Sequence, residues 1–464
     1  MSDAHAHHHT GPGYASPQIA GEQPPEQFIY VAGLFEGTGI ERPDFIAVID
    51  VDRDSQQYGQ IVHRTDMPNV GDELHHFGWN ACSSTCHSQL SRDTLVVPGF
   101  RSSRIHLLDV SDPRTPRVRD VIEPEQIIEK TGLSGPHTVH CMPGDIITVS
   151  MLGDRDGNLP GGLAVIDARD FSVVGRWAND PGDQQFMYDF WYQPRQNTLV
   201  SSEWGAPNTF KDGFDPADVA AGKYGRRLHF WDLERRAKVQ TVDLGDDGLI
   251  PLEIRWQHDP DSRQGFVGAT LSSNIIRFHS ENGSWDVEKV IDVANEPLEG
   301  WPLPGGVPGL ITDLVLSLDD RDLFLSNWLH GDLRHYDVSD PTSPQLRSQT
   351  CLGGLLGRDG GHPRADAALS GGPQMLQCSL DGERVYVSNS LYSSWDNQFY
   401  PAAANRCRGA GSQAAGVLPR REDRTEDRRE ALNSAECPLD RRAHLRRAHP
   451  ARDEQAAARA ILIR

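Results

Sequence analysis

The chain has 464 residues and a formal net charge of −21. A surface this acidic repels phosphate backbones and anionic headgroups, which argues against nucleic acid and membranes as main partners. Only 37% of the residues are hydrophobic and mean hydropathy is −0.52, and with no apolar run of about 18 residues no transmembrane helix is expected.

The N-terminal stretch MSDAHAHHHTGPGYASPQ has neither a basic n-region nor an apolar h-region. It does not read as a secretory signal, so a cytoplasmic location is expected. Residues 1–25 read as a flexible, His-rich tail whose HAHHH binds metal only weakly. The 44 glycines and 31 prolines suit a turn-rich β protein. Seven cysteines in such a chain point to ligand or redox roles rather than to a disulfide framework.

From residue 28 onward, short β-rich runs ending in an acid recur: FIAVIDVD (45–52), RIHLLDV (104–110), GGLAVID (161–167), RLHFWDL (227–233) and DLRHYDV (332–338). Asp50, Asp109, Asp167 and Asp232 lie 59, 58 and 65 residues apart. Each run follows a strand-like segment, such as TLVVPGF (94–100) or DLFLSNW (322–328), and precedes a third, such as AKVQTVDL (237–244). A fourth lies upstream: HTVHC (137–141), YDFWYQ (188–193), LEIRWQ (252–257), TDLVLSL (312–318) and PQMLQCSL (373–380). Four short strands at a steady period are the signature of a β-propeller. SLDDRDLFLSN (317–327) and SLDGERVYVSN (379–389) are nearly the same text, which supports true repetition. The expected fold is all-β: a seven-bladed β-propeller of WD40-like or YVTN-like kind over residues 26–401, its last blade incomplete. A pair of β-sandwiches does not predict such even spacing.

After Pro401 the pattern stops. Residues 402–464 contain no Phe, Trp or Tyr and no Lys, but 14 Arg and 15 Ala. They read as a disordered or weakly helical tail without period-2 strands. The abrupt change of composition suggests a frameshifted reading, which resequencing the 3′ end of the gene would test.

In a propeller the upstream strands line the central channel, so residues far apart in sequence converge there. His75, His76 and Trp79 of DELHHFGWNACSSTCH (72–87) sit at one such strand, and His137 and His140 of PHTVHC at the next. Tyr188 with Asp189, Glu253 with His258, Asp313 and Gln374 follow round the ring. Neutral imidazole suits Cu, Zn, Fe and Ni. A His-His pair and an H-x-x-H on strands are also common as hydrogen-bonded structural groups, and on a regular strand His137 and His140 face opposite sides unless a bulge intervenes. Asp189, Glu253 and Asp313 are candidate proton acceptors, or structural acids capping inner-strand turns. Cys82 and Cys86 are thiols of open role: the C-x-x-x-C-H spacing is neither a thioredoxin-like nor a haem motif.

The phrases DELHHFGWNACSS, VIEPEQI, YDFWYQPR, DGFDPADV, DGLIPLEIR, GFVGATLSS, SNWLHGDLRHYDVSDP and SLYSSWDNQFYP resemble, in order, the selenium-binding protein family, which includes bacterial methanethiol oxidases. The resemblance spans about residues 12–401. It implies a seven-bladed propeller that oxidises methanethiol with O2 and water to formaldehyde, hydrogen sulfide and hydrogen peroxide at a histidine-bound copper. It implies His75, His76, His137 and His140 as copper ligands, with His258 and His330 as further candidates. Cys82 carries over as a cofactor-side thiol. The family's selenium-linked cysteine falls on Gly59, so selenium binding through that thiol is lost, and the family's C-terminal segment has no match here. The expected partners are a small thiol and O2; oligomeric state is not readable. Two other classes stay open: a non-catalytic carrier of selenium, metal or thiol, and a calcium-type propeller hydrolase, which wants Asp, Glu and Asn rather than histidine.

Overall fold

A computed structural model describes residues 17–81, 90–301, 305–359, 371–401 and 416–419. Its strands sort by burial in the way a propeller requires. Middle strands such as Phe45–Asp50 and Thr94–Pro98 are buried on both faces, whereas last strands such as Arg117–Ile122 and Ala237–Asp243 carry charges into solvent. All the sheets are antiparallel, and neighbours in sequence are neighbours in the sheet.

The first sheet holds Phe28–Gly33, Phe45–Asp50 and Ile61–Asp66. The second runs from Gly78–Trp79 to Arg117–Ile122, the third from Leu133–Met142 to Val173–Arg176, and the fourth from Phe190–Gln193 to Ala237–Asp243. The fifth runs from Pro251–Trp256 to Ser284–Asp292, and the sixth from Ile311–Leu316 to Gln345–Gly353 with the short Arg358–Asp359 at its edge. These six are the blades of a β-propeller. Five of them carry the same irregularity, a bulge near the end of the strand that closes on the recurring acid, as at Leu107/Leu108 and Phe230/Trp231. The remaining sheet, Leu376–Cys378, Arg384–Val387 and Gly416–Pro419, is short. The structure therefore shows six blades, not the seven that the repeats predict. Gly416–Pro419 also corrects the reading of 402–464 as strand-free, because four residues of that stretch pair with Arg384–Val387.

The recurring acid has a local cause. Asp109 accepts the Ser111 amide at 2.9 Å, Asp167 the Arg169 amide at 2.8 Å and Asp337 the Ser339 amide at 2.9 Å. Each is an Asx turn that starts the hairpin into the outer strand.

Successive first strands pack side by side around the axis, joined by hydroxyls from the second strands. Ser202 accepts the Asp189 amide at 3.2 Å and donates to the Leu252 carbonyl of the next blade at 2.6 Å. Ser326 does the same between Asp313 and Gln374, at 3.1 and 2.7 Å. The ring is tied shut by Arg384, which donates to the Val51 carbonyl at 2.8 Å and pairs with Glu26 at 3.3 Å. Between the second and third strands of this last sheet comes the helix Ser393–Phe399, which Trp395 anchors by donating to the Phe210 carbonyl at 3.0 Å. Under it lies the main aromatic core, including Phe100, Tyr188, Trp204, Phe210 and Tyr392.

Candidate metal centre

The segment DELHH is held rigidly before it reaches the channel. Asp72 is fully buried between His106 Nε2 at 2.9 Å and Arg104 at 3.2 Å. Glu73 sits at φ +53°, bound by Arg101 Nε at 2.6 Å and by the Ser393 amide at 2.6 Å. The His75 amide donates to the Pro98 carbonyl at 2.9 Å. These bonds fix the backbone that presents two consecutive imidazoles. From the next blade comes His137, inside a register shift between Pro136 and Val139 that inserts an extra residue into the strand.

The three rings converge. His75 lies 4.9 Å from His76 and 4.6 Å from His137 between centroids, and His76 lies 4.1 Å from His137. One nitrogen from each falls within 4.8 Å of the others. Burial pushes His75 down to about 4, and burial with the neighbouring imidazoles holds His76 and His137 well below the ordinary histidine range. All three are therefore neutral at physiological pH, with lone pairs available. His75 Nε2 donates to the Leu391 carbonyl at 2.9 Å, which leaves Nδ1 as its acceptor nitrogen. His137 Nδ1 faces Thr138 Oγ1 at 3.0 Å, while its Nε2 and that of His76 are buried without a hydrogen-bond partner among the described residues. Buried orphan nitrogens on converging neutral rings fit a first-row transition metal ion.

Next to this group, Asp189, Glu253 and Asp313 surround one guanidinium. Arg255 lies 3.0 Å from Asp313, 3.1 Å from Glu253 and 3.6 Å from Asp189. Burial raises Asp189 and Asp313 to about 6 against the pull of Arg255. Burial and the two aspartates raise Glu253 well above its usual range. Their roles divide. Asp189 accepts the Ile254 amide of the next blade at 2.7 Å, and Asp313 the Leu376 amide at 2.6 Å, so both brace inner strands. Glu253 has no such bond; its Oε1 faces His76 Nε2 at 3.3 Å. It is the acid that meets the histidines.

Three of the six expected metal histidines are thus brought together. His140 does not join them: beyond the bulge it returns to the regular ladder opposite Thr148 and packs on Trp191 at 4.5 Å. His258 lies at a blade turn, its Nδ1 bonded to Asp320 at 2.9 Å. His330 is buried elsewhere, its Nε2 bonded to the Val307 carbonyl at 2.9 Å. His258 and His330 thus lie apart from the three-histidine group, each with one ring nitrogen bonded to a partner outside it. Cys82 lies outside the described residues. Cys141 and Cys378 are free thiols that burial raises to about 11 and about 12, which disfavours the reactive thiolate, and Cys351 takes part in a disulfide. Sequence reasoning missed Arg255 and Tyr392. Arg255 had a signal, since E-x-R on one strand puts both side chains on the channel face. Tyr392, 4.8 Å from the His75 ring, comes from a segment outside the strand repeat and had none.

A β-propeller with a buried imidazole cluster at its axis is the class that the geometry defines. The chain belongs to the 56 kDa selenium-binding protein family, whose model matches residues 8–410. Among curated relatives, a methanethiol oxidase of Rattus norvegicus is 51% identical over 409 residues, covering 84% of this chain and 86% of the relative. A methanethiol oxidase of Homo sapiens and selenium-binding protein 2 of Mus musculus are each 50% identical with the same coverage. Among solved structures, a hypothetical selenium-binding protein from Sulfolobus tokodaii superposes with a TM-score of 0.82 at 45% identity, over 88% of this chain and 91% of that one. A putative 6-phosphogluconolactonase from Bacteroides uniformis shares the fold alone, at a TM-score of 0.50 and 11% identity. Among the described residues no helix is long and apolar enough to cross a membrane.

Proposed function

We propose that this chain is an oxidoreductase that converts methanethiol, O2 and water to formaldehyde, hydrogen sulfide and hydrogen peroxide, with copper held by His75, His76 and His137. The observation that carries the reading is the trio of buried, neutral, partly orphaned imidazoles in a chain about half identical to named methanethiol oxidases. Bound copper supplies one-electron exchange, which side chains such as these do not provide.

The chain's own residues do the rest. The Leu391 carbonyl fixes the His75 tautomer, as outer-shell partners of ligating histidines do. Glu253 Oε1, beside His76, takes the proton of an arriving thiol and returns it to a product. Arg255 opposes the rise in that carboxylate's pKa that burial and the two aspartates cause. Asp189 and Asp313 act by positioning: they hold the strands that carry Glu253 and Arg255. Metal analysis with an oxygen electrode tests the reading. Purified chain with no affinity for copper, or copper-loaded chain that consumes no O2 with methanethiol, would defeat it.

A second reading, a non-catalytic carrier of metal, thiol or selenium, draws on the likeness to selenium-binding protein 2. Binding without release of sulfide and peroxide would favour it. For the architecture, the short sheet that begins at Leu376 is proposed as an incomplete seventh blade, since Tyr386 packs with Ile49 and Val51 of the first blade. The division into a 1–25 tail, a 26–401 propeller and an aberrant 402–464 tail remains a proposal on the same footing.

A further inference from the structure

The histidine group is bounded by oxidisable rings. Tyr188 lies 4.1 Å from His137 between centroids and stacks on Trp204 at 5.1 Å. Tyr392, beside His75, also meets Trp204, at 5.6 Å. Trp204 in turn meets Tyr224 at 6.5 Å. Tyr188 and Trp204 are fully buried; Tyr224 reaches the edge of the core at 8% exposure. Its phenol feels the carboxylates of Asp218 and Asp215, which lie at the exposed helix Pro216–Ala220.

Packing alone does not account for these residue types. The Trp204 Nε1–H and the Tyr224 hydroxyl are buried without a hydrogen-bond partner among the described residues, whereas the Tyr188 hydroxyl meets the Tyr392 phenol. Each such group costs about 1–3 kcal/mol, and phenylalanine fills a tyrosine's site without that cost. Trp204 and Tyr224 each keep a polar group that the core does not satisfy. What they share is ready one-electron oxidation, and the row begins at the histidines and ends near solvent.

We propose that Tyr188, Trp204 and Tyr224 form a relay that carries oxidising equivalents from the histidine centre to the surface. The relay rests on the proposed metal-dependent oxygen chemistry and adds a second outlet to it. Hydrogen peroxide at the centre is the oxidant and a thiol at the surface is the reductant. In each passage Tyr188, its ring 4.1 Å from that of His137, gives one electron to the centre and its phenolic proton moves into the centre with it. Trp204 refills Tyr188, and the proton returns. Tyr224 refills Trp204 and loses its own proton toward Asp215 and Asp218. A thiol then restores Tyr224 with one electron and one proton and leaves as a thiyl radical. Two passages, with two protons taken up at the centre, reduce one peroxide to two waters, and the two thiyl radicals couple as one disulfide. The relay spares the histidines from the peroxide that the main reaction makes.

The test is an oxidation map. Copper-loaded wild type and Trp204→Phe are given hydrogen peroxide without methanethiol, and oxygen adducts are located by peptide mass spectrometry, with a freeze-quenched electron paramagnetic resonance spectrum of each. Wild type is expected to show a Tyr or Trp radical and adducts at Tyr224. Trp204→Phe is expected to lose the Tyr224 adducts and to oxidise His75, His76, His137 and Tyr188 several-fold faster. Equal maps in the two proteins, or undiminished Tyr224 oxidation in Trp204→Phe, would overturn the relay. Tyr224→Phe decides the matter if Trp204→Phe does not fold: adducts are expected to move inward to Trp204, and an unchanged histidine oxidation rate would overturn it. Since copper and peroxide are both supplied, a chain without methanethiol oxidase activity still gives a readable map, so the two proposals can fail separately.

Discussion

Replacing Arg255 with Met removes the one guanidinium shared by three buried carboxylates. Asp313 at 3.0 Å, Glu253 at 3.1 Å and Asp189 at 3.6 Å each lose their cation. Breaking a buried pair by removing one partner costs about 3–5 kcal/mol, because the remaining charge is stranded. Here the stranded groups can escape by taking up protons. Asp189 and Asp313 already stand near 6 with Arg255 present, and without it they rise further. The sign follows by linkage: acids whose folded pKa is raised add stability below their unfolded pKa and lose it as pH rises through the folded one. The Met variant is therefore expected to fall short of wild type by about 3–5 kcal/mol at pH 8. The gap should narrow on acidification, by up to about 1.4 kcal/mol per pH unit for each additional proton bound. Urea unfolding of both proteins between pH 8 and pH 5.5 measures it. A variant as stable as wild type at pH 8, or a gap independent of pH, would refute the assignment of these acids to one electrostatic unit.

Three further outcomes are expected. Ser202→Ala leaves the buried Leu252 carbonyl without its 2.6 Å donor, so urea titration should show a loss of about 1–3 kcal/mol at unchanged m-value. Thr138→Val removes the Oγ1 that orients His137 at 3.0 Å, and competition with a copper chelator should show about 10–100-fold weaker binding. His140, held by burial at about 3, contributes stability that is present above the ordinary histidine pKa and is lost as pH falls below it. His140→Gln should therefore gain on wild type by up to about 1.4 kcal/mol per pH unit between pH 6.5 and pH 4, as read from paired denaturation curves.

Much of this was legible before any coordinates. The period-2 runs and their terminal acids placed most of the blades, because Asx turns such as those at Asp109, Asp167 and Asp337 write an Asp at a recurring place. The inner strands were recognisable as the segments preceding each blade, and with them the meeting of His75 and His76 with His137. The rest depended on contacts that local pattern does not encode. H-x-x-H does not reveal the bulge at Pro136–Val139 that sends His137 inward and leaves His140 on the ladder. Asp189 and Asp313 look like Glu253 in sequence; a backbone amide from the next blade separates them. His258 and His330 were drawn in by likeness of phrase rather than by geometry, and each is held by its own partner. The count of seven blades extrapolated an even period into a region where only a short sheet forms, and the Arg- and Ala-rich text hid the strand Gly416–Pro419.

The most direct test of the three-histidine centre as a thiol-oxidising site is O2 uptake by the purified, copper-loaded chain on addition of methanethiol. One O2 consumed per methanethiol is expected, abolished in His137→Gln, whereas no uptake by a copper-replete wild-type chain, or undiminished uptake by His137→Gln, would contradict it.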